Sequence, residues 1–316
     1  MPRPASFLYP PFSGPLAGIA VLVAALVLAG CARPAPDVLP IRLVEQLLVE
    51  EKPGERLYSL LFHDEAGREL HAYLRTPAGS GPDPYPAIVL AAGRYAGRQA
   101  AAVIPGPLEQ VVLAVEYPAD IPERMNAGAW VRGLPAFVRA AHRMPGLLRG
   151  AGHYLRDVEE VDPARLTLVG VSFGVPFAAV AGQDRVFTGV ALHFGGADIA
   201  GMLRANLPIR NSLARSAFAR FGAWVFRDLE PARHVGNISP TPLLLINGSA
   251  DEQIPRSSAL LLAERASAPV RQIWLDHGHL SSLDHQLLRE LADSTFRHFE
   301  FDSPRAAESI AEMERS

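Results

Sequence analysis

Leu166-Thr-Leu-Val-Gly170-Val-Ser172-Phe-Gly174-Val-Pro176-Phe-Ala-Ala-Val-Ala181 is the stretch that decides how this chain is read. An apolar run leads into Gly-x-Ser-x-Gly and then into helix-compatible residues, the order expected of a strand, a sharp turn and a helix. Bulky residues two before or two after the serine would collide across such a turn, so glycine is needed at 170 and 174. The turn leaves the Ser172 hydroxyl above the sheet, with the first helical amides beneath it. Pro176 fits as well: it falls in the first helical turn, where an amide has no intrahelical acceptor to lose.

Further apolar strands flank this one. Pro86–Ala92, Val111–Val115, Gly189–His193, Leu243–Ile246 and Arg271–Leu275 read as short buried strands. Arg56–Phe62 and Glu69–Arg75, joined through Asp64-Glu-Ala-Gly67, read as an antiparallel hairpin. Residues 41–51 admit a short helix or a strand. Helical patterns cover 136–147, 150–161, 175–183, 257–266 and 283–299. Short apolar strands alternating with amphipathic helices predict an α/β protein whose mostly parallel sheet is covered on both faces. Residues 199–235 break the rhythm with a helical insertion expected over 199–214 and 217–226, rich in arginine and aromatics (Phe218, Phe221, Trp224, Phe226). Its composition suits a cap over an apolar substrate group, and equally an amphipathic cover over a core.

A serine hydroxyl is a poor nucleophile without an imidazole base and a carboxylate that fixes the imidazole tautomer. Catalytic groups collect beyond the carboxyl ends of parallel strands. Two strand ends there supply candidates: Asn247-Gly-Ser-Ala-Asp251-Glu-Gln-Ile-Pro255 and Asp276-His277-Gly278-His279. The chain order Ser, Asp, His is one of three known for such constellations. Glu252 stands beside Asp251, and His277 competes with His279. Asp276, His277, His279, Asp284 and His285 also invite a metal reading, which is the weaker one because a hydrolytic triad already accounts for one of the histidines. No metal and no cofactor are expected. His142, His153, His193 and His234 have no partner pattern and are read as structural.

These segments resemble the α/β-hydrolase superfamily, in particular bacterial serine esterases and the dienelactone-hydrolase or prolyl-oligopeptidase type of core. The resemblance covers residues 55–300. It implies Ser172 as nucleophile, Asp251 as acid and His279 as base, since the Gly278-His279 pair matches the family pattern. It also implies an oxyanion hole made by the Phe173 amide and by the loop Gly93-Arg94-Tyr95-Ala96-Gly97, with Arg94 N–H the donor and Tyr95 the alternative. Family members usually carry His-Gly where this chain has Ala92-Gly93. The expected reaction is carboxylic-ester hydrolysis on a small-molecule acyl substrate. Thioesterase, acyltransferase or small-peptidase chemistry on the same triad is the alternative, and a non-catalytic envelope lipoprotein the more distant one.

The N-terminus predicts where this chemistry happens. Residues 16–30 are an apolar core behind Arg3, too short for a typical span and suited to a secretory signal. Leu28-Ala29-Gly30-Cys31 resembles the bacterial lipobox, and Cys31 is the sole cysteine of the 316 residues. The expectation is therefore a signal peptide over 1–30, lipidation of Cys31, a proline-rich tether and lead-in over 31–54, a hydrolase domain over 55–303 and a charged tail over 304–316. Ala32 after the cysteine favours an outer-membrane position facing the periplasm, if the source is Gram-negative. The remaining composition is unexceptional: a formal charge of −3 and 49% hydrophobic residues, enough for one large core. Interspersed charges exclude a nucleic-acid footprint.

Overall fold

The computed structural model describes residues 38–78, 84–106, 108–117, 127–267, 269–281 and 284–301. The signal segment, Cys31, tether residues 32–37 and the tail 304–316 lie outside the described residues. Nine strands form one sheet: β1 (Ile41–Lys52), β2 (Glu55–Asp64), β3 (Glu69–Pro77), β4 (Tyr85–Ala91), β5 (Val111–Val115), β6 (Val161–Val171), β7 (Gly189–His193), β8 (Leu243–Gly248) and β9 (Val270–Leu275). Their order is β1-β2-β3-β5-β4-β6-β7-β8-β9. The first three strands and β5 pair antiparallel; from β5 to β9 every pairing is parallel. The chain steps outward from β4 to β5 and then back to β6, so a crevice opens beyond the ends of β4 and β6.

The hairpin of β2 and β3 is present, with Gly67 at φ +72° and Asp64 accepting the amides of Ala66 and Arg68 in its turn. Residues 41–52 resolve as strand. They pair along β2, so the sheet begins about fourteen residues before the expected boundary at 55. At this edge Val44, Leu47, Leu48 and Val49 are exposed, among two register shifts and the charges of Glu45, Glu50, Glu51 and Lys52. Bulges and charges are the features that discourage edge-to-edge pairing.

Helices α1 (Ala100–Val103), α2 (Ala127–Arg156), α3 (Val175–Ala181), α4 (Ile199–Asn206), α5 (Ser212–Val225), α6 (Arg256–Arg265) and α7 (His285–Phe301) complete the architecture. The two helices expected over 136–147 and 150–161 are one 30-residue helix, α2, which ends at Arg156. Gly150, expected as the first residue of the second helix, is an approach point inside α2: a Cβ there would overlap the Leu39 carbonyl oxygen, and Leu39 N–H donates to Gly146 O at 3.1 Å. Val161, expected in a helix, starts β6 opposite Tyr85. Within the insertion the helix break falls at 207–211 rather than 215–216. Pro208 stands in that break, and the Asn211 side chain caps α5 by accepting the Ala214 amide at 2.9 Å.

Side chains alternate between the two faces of the sheet. Val89, Leu113, Leu166, Leu168, Val190 and Leu245 point to the face packed by α2, α3 and α6. Leu90, Val112, Val169, Ala191 and Leu244 point to the other, against α1 and α7.

Candidate active site

Ser172 stands immediately after β6, in a 3-10 turn over Ser172–Gly174 that runs straight into α3. Its φ is +52°, a left-handed conformation that a non-glycine residue keeps only where the surroundings impose it. The flanking glycines explain how. A Cβ on Gly170 would lie 2.5 Å from the Ala178 Cβ, and one on Gly174 would overlap the Ala91 carbonyl oxygen. The turn is thus clamped between α3 and the end of β4, as the spacing predicts. Pro176 occupies the first turn of α3.

Two loops from neighbouring strand ends meet Ser172. The Ser172 hydroxyl lies 2.8 Å from His279 Nε2, and His279 Nδ1 lies 2.8 Å from Asp251 Oδ2. A carboxylate only accepts, so Nδ1–H donates to it and the Nε2 lone pair is left for the serine O–H. The Asp251 and His279 side chains are 3% and 10% exposed, and this burial strengthens the pairing. Burial pushes the Asp251 carboxyl upward, but hydrogen bonds from His279 and from the amides of Ile254 and Gln253 outweigh it, holding the group below the usual carboxylate range. Asp251 therefore stays ionised beside the imidazole.

The acid and base loops are joined by backbone. Ala250 N–H donates to His277 O at 3.1 Å, and Ser249 N–H donates to Leu275 O at 2.8 Å. Gly248 permits the approach, since a Cβ there would overlap the His277 carbonyl oxygen. His277 thus takes part through its main chain, while Glu252 points outward. Asp276 accepts from Ser249 Oγ, and Asp284 accepts the Leu287 amide at the start of α7. Among the described residues, no three His, Cys, Asp or Glu side chains gather as a metal site.

The loop after β4 forms a turn in which the Ala96 and Gly97 amides donate to Gly93 O. Gly93, Arg94 and Tyr95 line the same cavity as Ser172, Phe173 and His279. The Arg94 guanidinium lies 5.3 Å from the centre of the exposed Tyr95 ring. Two supports went unread in the sequence. Tyr117, just past β5, donates its hydroxyl to the Ala92 carbonyl and sets its ring edge-on to Phe173 at 5.2 Å. Burial, with Glu116 beside it, pushes the Tyr117 hydroxyl well above its usual range, so it remains a donor. Asn247, fully buried, donates to Gly195 O at 2.8 Å and ties β8 to the loop after β7. Both stand at the carboxyl ends of strands on the Ser172 edge, Tyr117 just past β5 and Asn247 in the last two residues of β8, the only signal that marks them.

The cavity measures about 970 Å³. The insertion contributes Ile199, Met202, Leu203, Asn206, Phe226 and Leu229 to its wall, while α5 contributes no residue. Of the four aromatics expected in a cap, only Phe226 reaches the cavity; Phe221 and Trp224 pack on each other. Glu230 closes the base of the insertion: its two carboxylate oxygens accept the amides of Asp198 and Ile199 at 2.9 and 2.8 Å. Asp198 in turn caps α4 through Gly201 N.

No protein-family model and no curated protein matches this sequence. Solved structures do. An acetyl xylan esterase from Paenibacillus sp. R4 is 15% identical with a TM-score of 0.60, over 92% of this chain and 97% of that one. Acetyl xylan esterase 1 from Thermoanaerobacterium sp. JW/SL YS485 is 15% identical with a TM-score of 0.59, over 92% and 95%. An α/β hydrolase, GrgF, from Penicillium sp. sh18 is 16% identical with a TM-score of 0.52, over 78% and 99%. With the strand order, the crossover and the strand–turn–helix at Ser172 in hand, these likenesses establish that the chain has the α/β-hydrolase fold.

Proposed function

We propose that this protein is a serine hydrolase of carboxylic esters, held at a bacterial membrane by a lipid on Cys31. The observation that carries the reading is the unbroken hydrogen-bonded chain from Ser172 through His279 to a buried, ionised Asp251. His279 Nε2 takes the Ser172 proton as Oγ attacks the acyl carbon. The amides of Phe173 and Arg94 receive the negative charge on the carbonyl oxygen. Collapse of the tetrahedral intermediate expels the alcohol, which leaves with the proton from His279. Water then attacks the acyl-enzyme, giving its proton to His279, and Ser172 is regenerated as the free acid departs. Two of the solved neighbours are acetyl xylan esterases, which supports an ester as substrate.

A fluorophosphonate probe tests the assignment. Folded wild-type protein should be labelled at Ser172, and Ser172→Ala should abolish labelling and lower ester turnover by about 10⁴-fold or more. Unlabelled folded wild type would sink the hydrolase reading. His279→Ala should behave like Ser172→Ala, whereas His277→Ala should remain active; the reverse result would move the base. The anchor is tested separately by radiolabelled palmitate, which should enter the wild-type chain in cells and not a Cys31→Ala variant.

A further inference from the structure

The cavity that holds Ser172 does not stop at the catalytic edge. It continues along the face of the sheet, past Leu90 and Ile88 of β4 and Val112 of β5, beneath Leu288, Leu291 and Ala292 of α7. A crossover between parallel strands ordinarily carries a helix that covers the sheet. Between β4 and β5 the described residues of the crossover supply only a 3-10 turn over Gly97–Gln99 and the single turn of α1, Ala-Ala-Ala-Val. Three alanine side chains cannot fill the space of a full helix. The deficit is visible at Ile88: its strand lies in the middle of the sheet, between β5 and β6, yet its side chain is only half-buried.

The lobe is almost wholly hydrocarbon. Its polar side chains are Gln110 at the deep end and the buried pair His193 and Thr295. Thr295 Oγ donates to Leu291 O at 2.7 Å, so it accepts from His193 Nε2–H at 3.2 Å, and the two satisfy each other. Among the described residues, no Asp, Glu, Lys or Arg side chain belongs to this lobe.

Resting on the hydrolase reading above, we propose that this lobe receives the acyl chain of the substrate, and that the enzyme selects medium-chain acyl esters over acetyl or butyryl esters. From the level of Ala92 to that of Ile88 the strand covers about 13 Å. With C–C bonds of about 1.5 Å, a zigzag chain of roughly ten carbons spans that depth. The occupant is a hydrocarbon tail because its head is already placed: the same cavity carries Ser172 and His279 at its mouth, so a chain in the lobe is covalently continuous with the carbonyl under attack. Selectivity then arises on the sheet face opposite α2 and α3, with the insertion 199–235 facing the alcohol side.

The experiment uses the folded wild-type protein and p-nitrophenyl esters from acetate to decanoate. Burying each methylene is worth about three- to fourfold, so kcat/KM should climb by at least about 50-fold from butyrate to decanoate. In Ala292→Phe, whose ring enters the lobe, the decanoate-to-butyrate ratio should fall at least about tenfold. Ser172→Ala gives a readout without turnover: in calorimetry it should bind decanoate at least about 50-fold more tightly than butyrate. A chain-length profile that is flat or peaks at acetate, in protein whose Ser172 is labelled by the fluorophosphonate, overturns the lobe assignment and leaves the hydrolase reading standing. Absent labelling overturns the hydrolase reading, and decanoate binding to Ser172→Ala then still decides the lobe. Should Ala292→Phe not fold, the wild-type profile and the binding measurement decide it.

Discussion

The two faces of the same sheet are built to different standards. On the face under α2, α3 and α6, side chains such as Leu166, Leu168 and Leu113 are fully buried. Contact there is so close that a Cβ on Gly152 would press into the Phe187 ring at 2.8 Å, and one on Gly182 into Val190 at 2.9 Å. On the other face α1 is one turn of alanine, and the cavity reaches Ile88 and Val112. Neighbouring residues of one strand, Ile88 and Val89, thus sit in opposite situations. The full face sets stability and holds the serine turn rigid; the other face leaves room for chemistry. Native cores tolerate few voids larger than a water, so an apolar opening of this size beside Ser172 marks use rather than poor packing.

Five substitutions break or sharpen that contrast. The harshest lies where the full face clamps the turn. Gly174→Ala forces a side chain into the Ala91 carbonyl; displacing Ser172 by about an ångström should lower turnover at least about 100-fold, alongside a loss of stability read from urea unfolding.

The faces are compared directly by Leu168→Ala and Ile88→Ala. The first opens a hole in a filled core and should cost about 2–5 kcal/mol. The second trims a side chain that is only partly buried and should cost about 1 kcal/mol or less. Equal urea midpoints for the two variants would mean that the faces are equally packed.

His193 reports whether the open face is dry. Burial depresses its imidazole to about 3, against the usual value of about 6.5 in the unfolded chain. Between those limits the unfolded state binds the extra proton, so stability falls as pH drops from about 6.5 toward 3, at about 1 kcal/mol per pH unit. His193→Gln should flatten that acid limb, measured by urea unfolding at pH 7, 6, 5 and 4. A wild-type limb no steeper than the variant's would mean that water enters the lobe and solvates the imidazole. The change smallest in atoms, Tyr117→Phe, removes only the hydroxyl that holds the Ala92 carbonyl. It should cost about 0.5–1.5 kcal/mol of stability and slow turnover a few-fold without altering the chain-length ratio.

What the sequence disclosed divides along similar lines. Gly170 and Gly174 were legible because a sharp turn leaves no alternative to glycine, and Asp251 and His279 because each follows a strand that ends at the same edge. Glu252 and His277 stood as rivals because one residue along a loop changes a side chain's direction without changing its sequence signal. Residues 41–51 admitted two readings, since mixed apolar and acidic residues on an exposed edge strand carry neither period clearly. Gly150 read as the start of a second helix, though its smallness serves the passage of Leu39 across α2. The open lobe left no trace in any single segment. It arises from what three alanines fail to fill once α7 and the sheet are in place, and volume is a property of the assembled layers.

The Glu230 carboxylate, gripping the amides of Asp198 and Ile199 across 32 residues, has an evolutionary meaning. It staples both feet of the excursion between β7 and β8 at one point, so what lies beyond the staple can lengthen, shorten or change composition while the strands keep their pairing. The insertion is in effect a cassette. A lineage, or an engineer, can exchange that wall of the cleft in one piece without disturbing the serine turn or the lobe beneath α7.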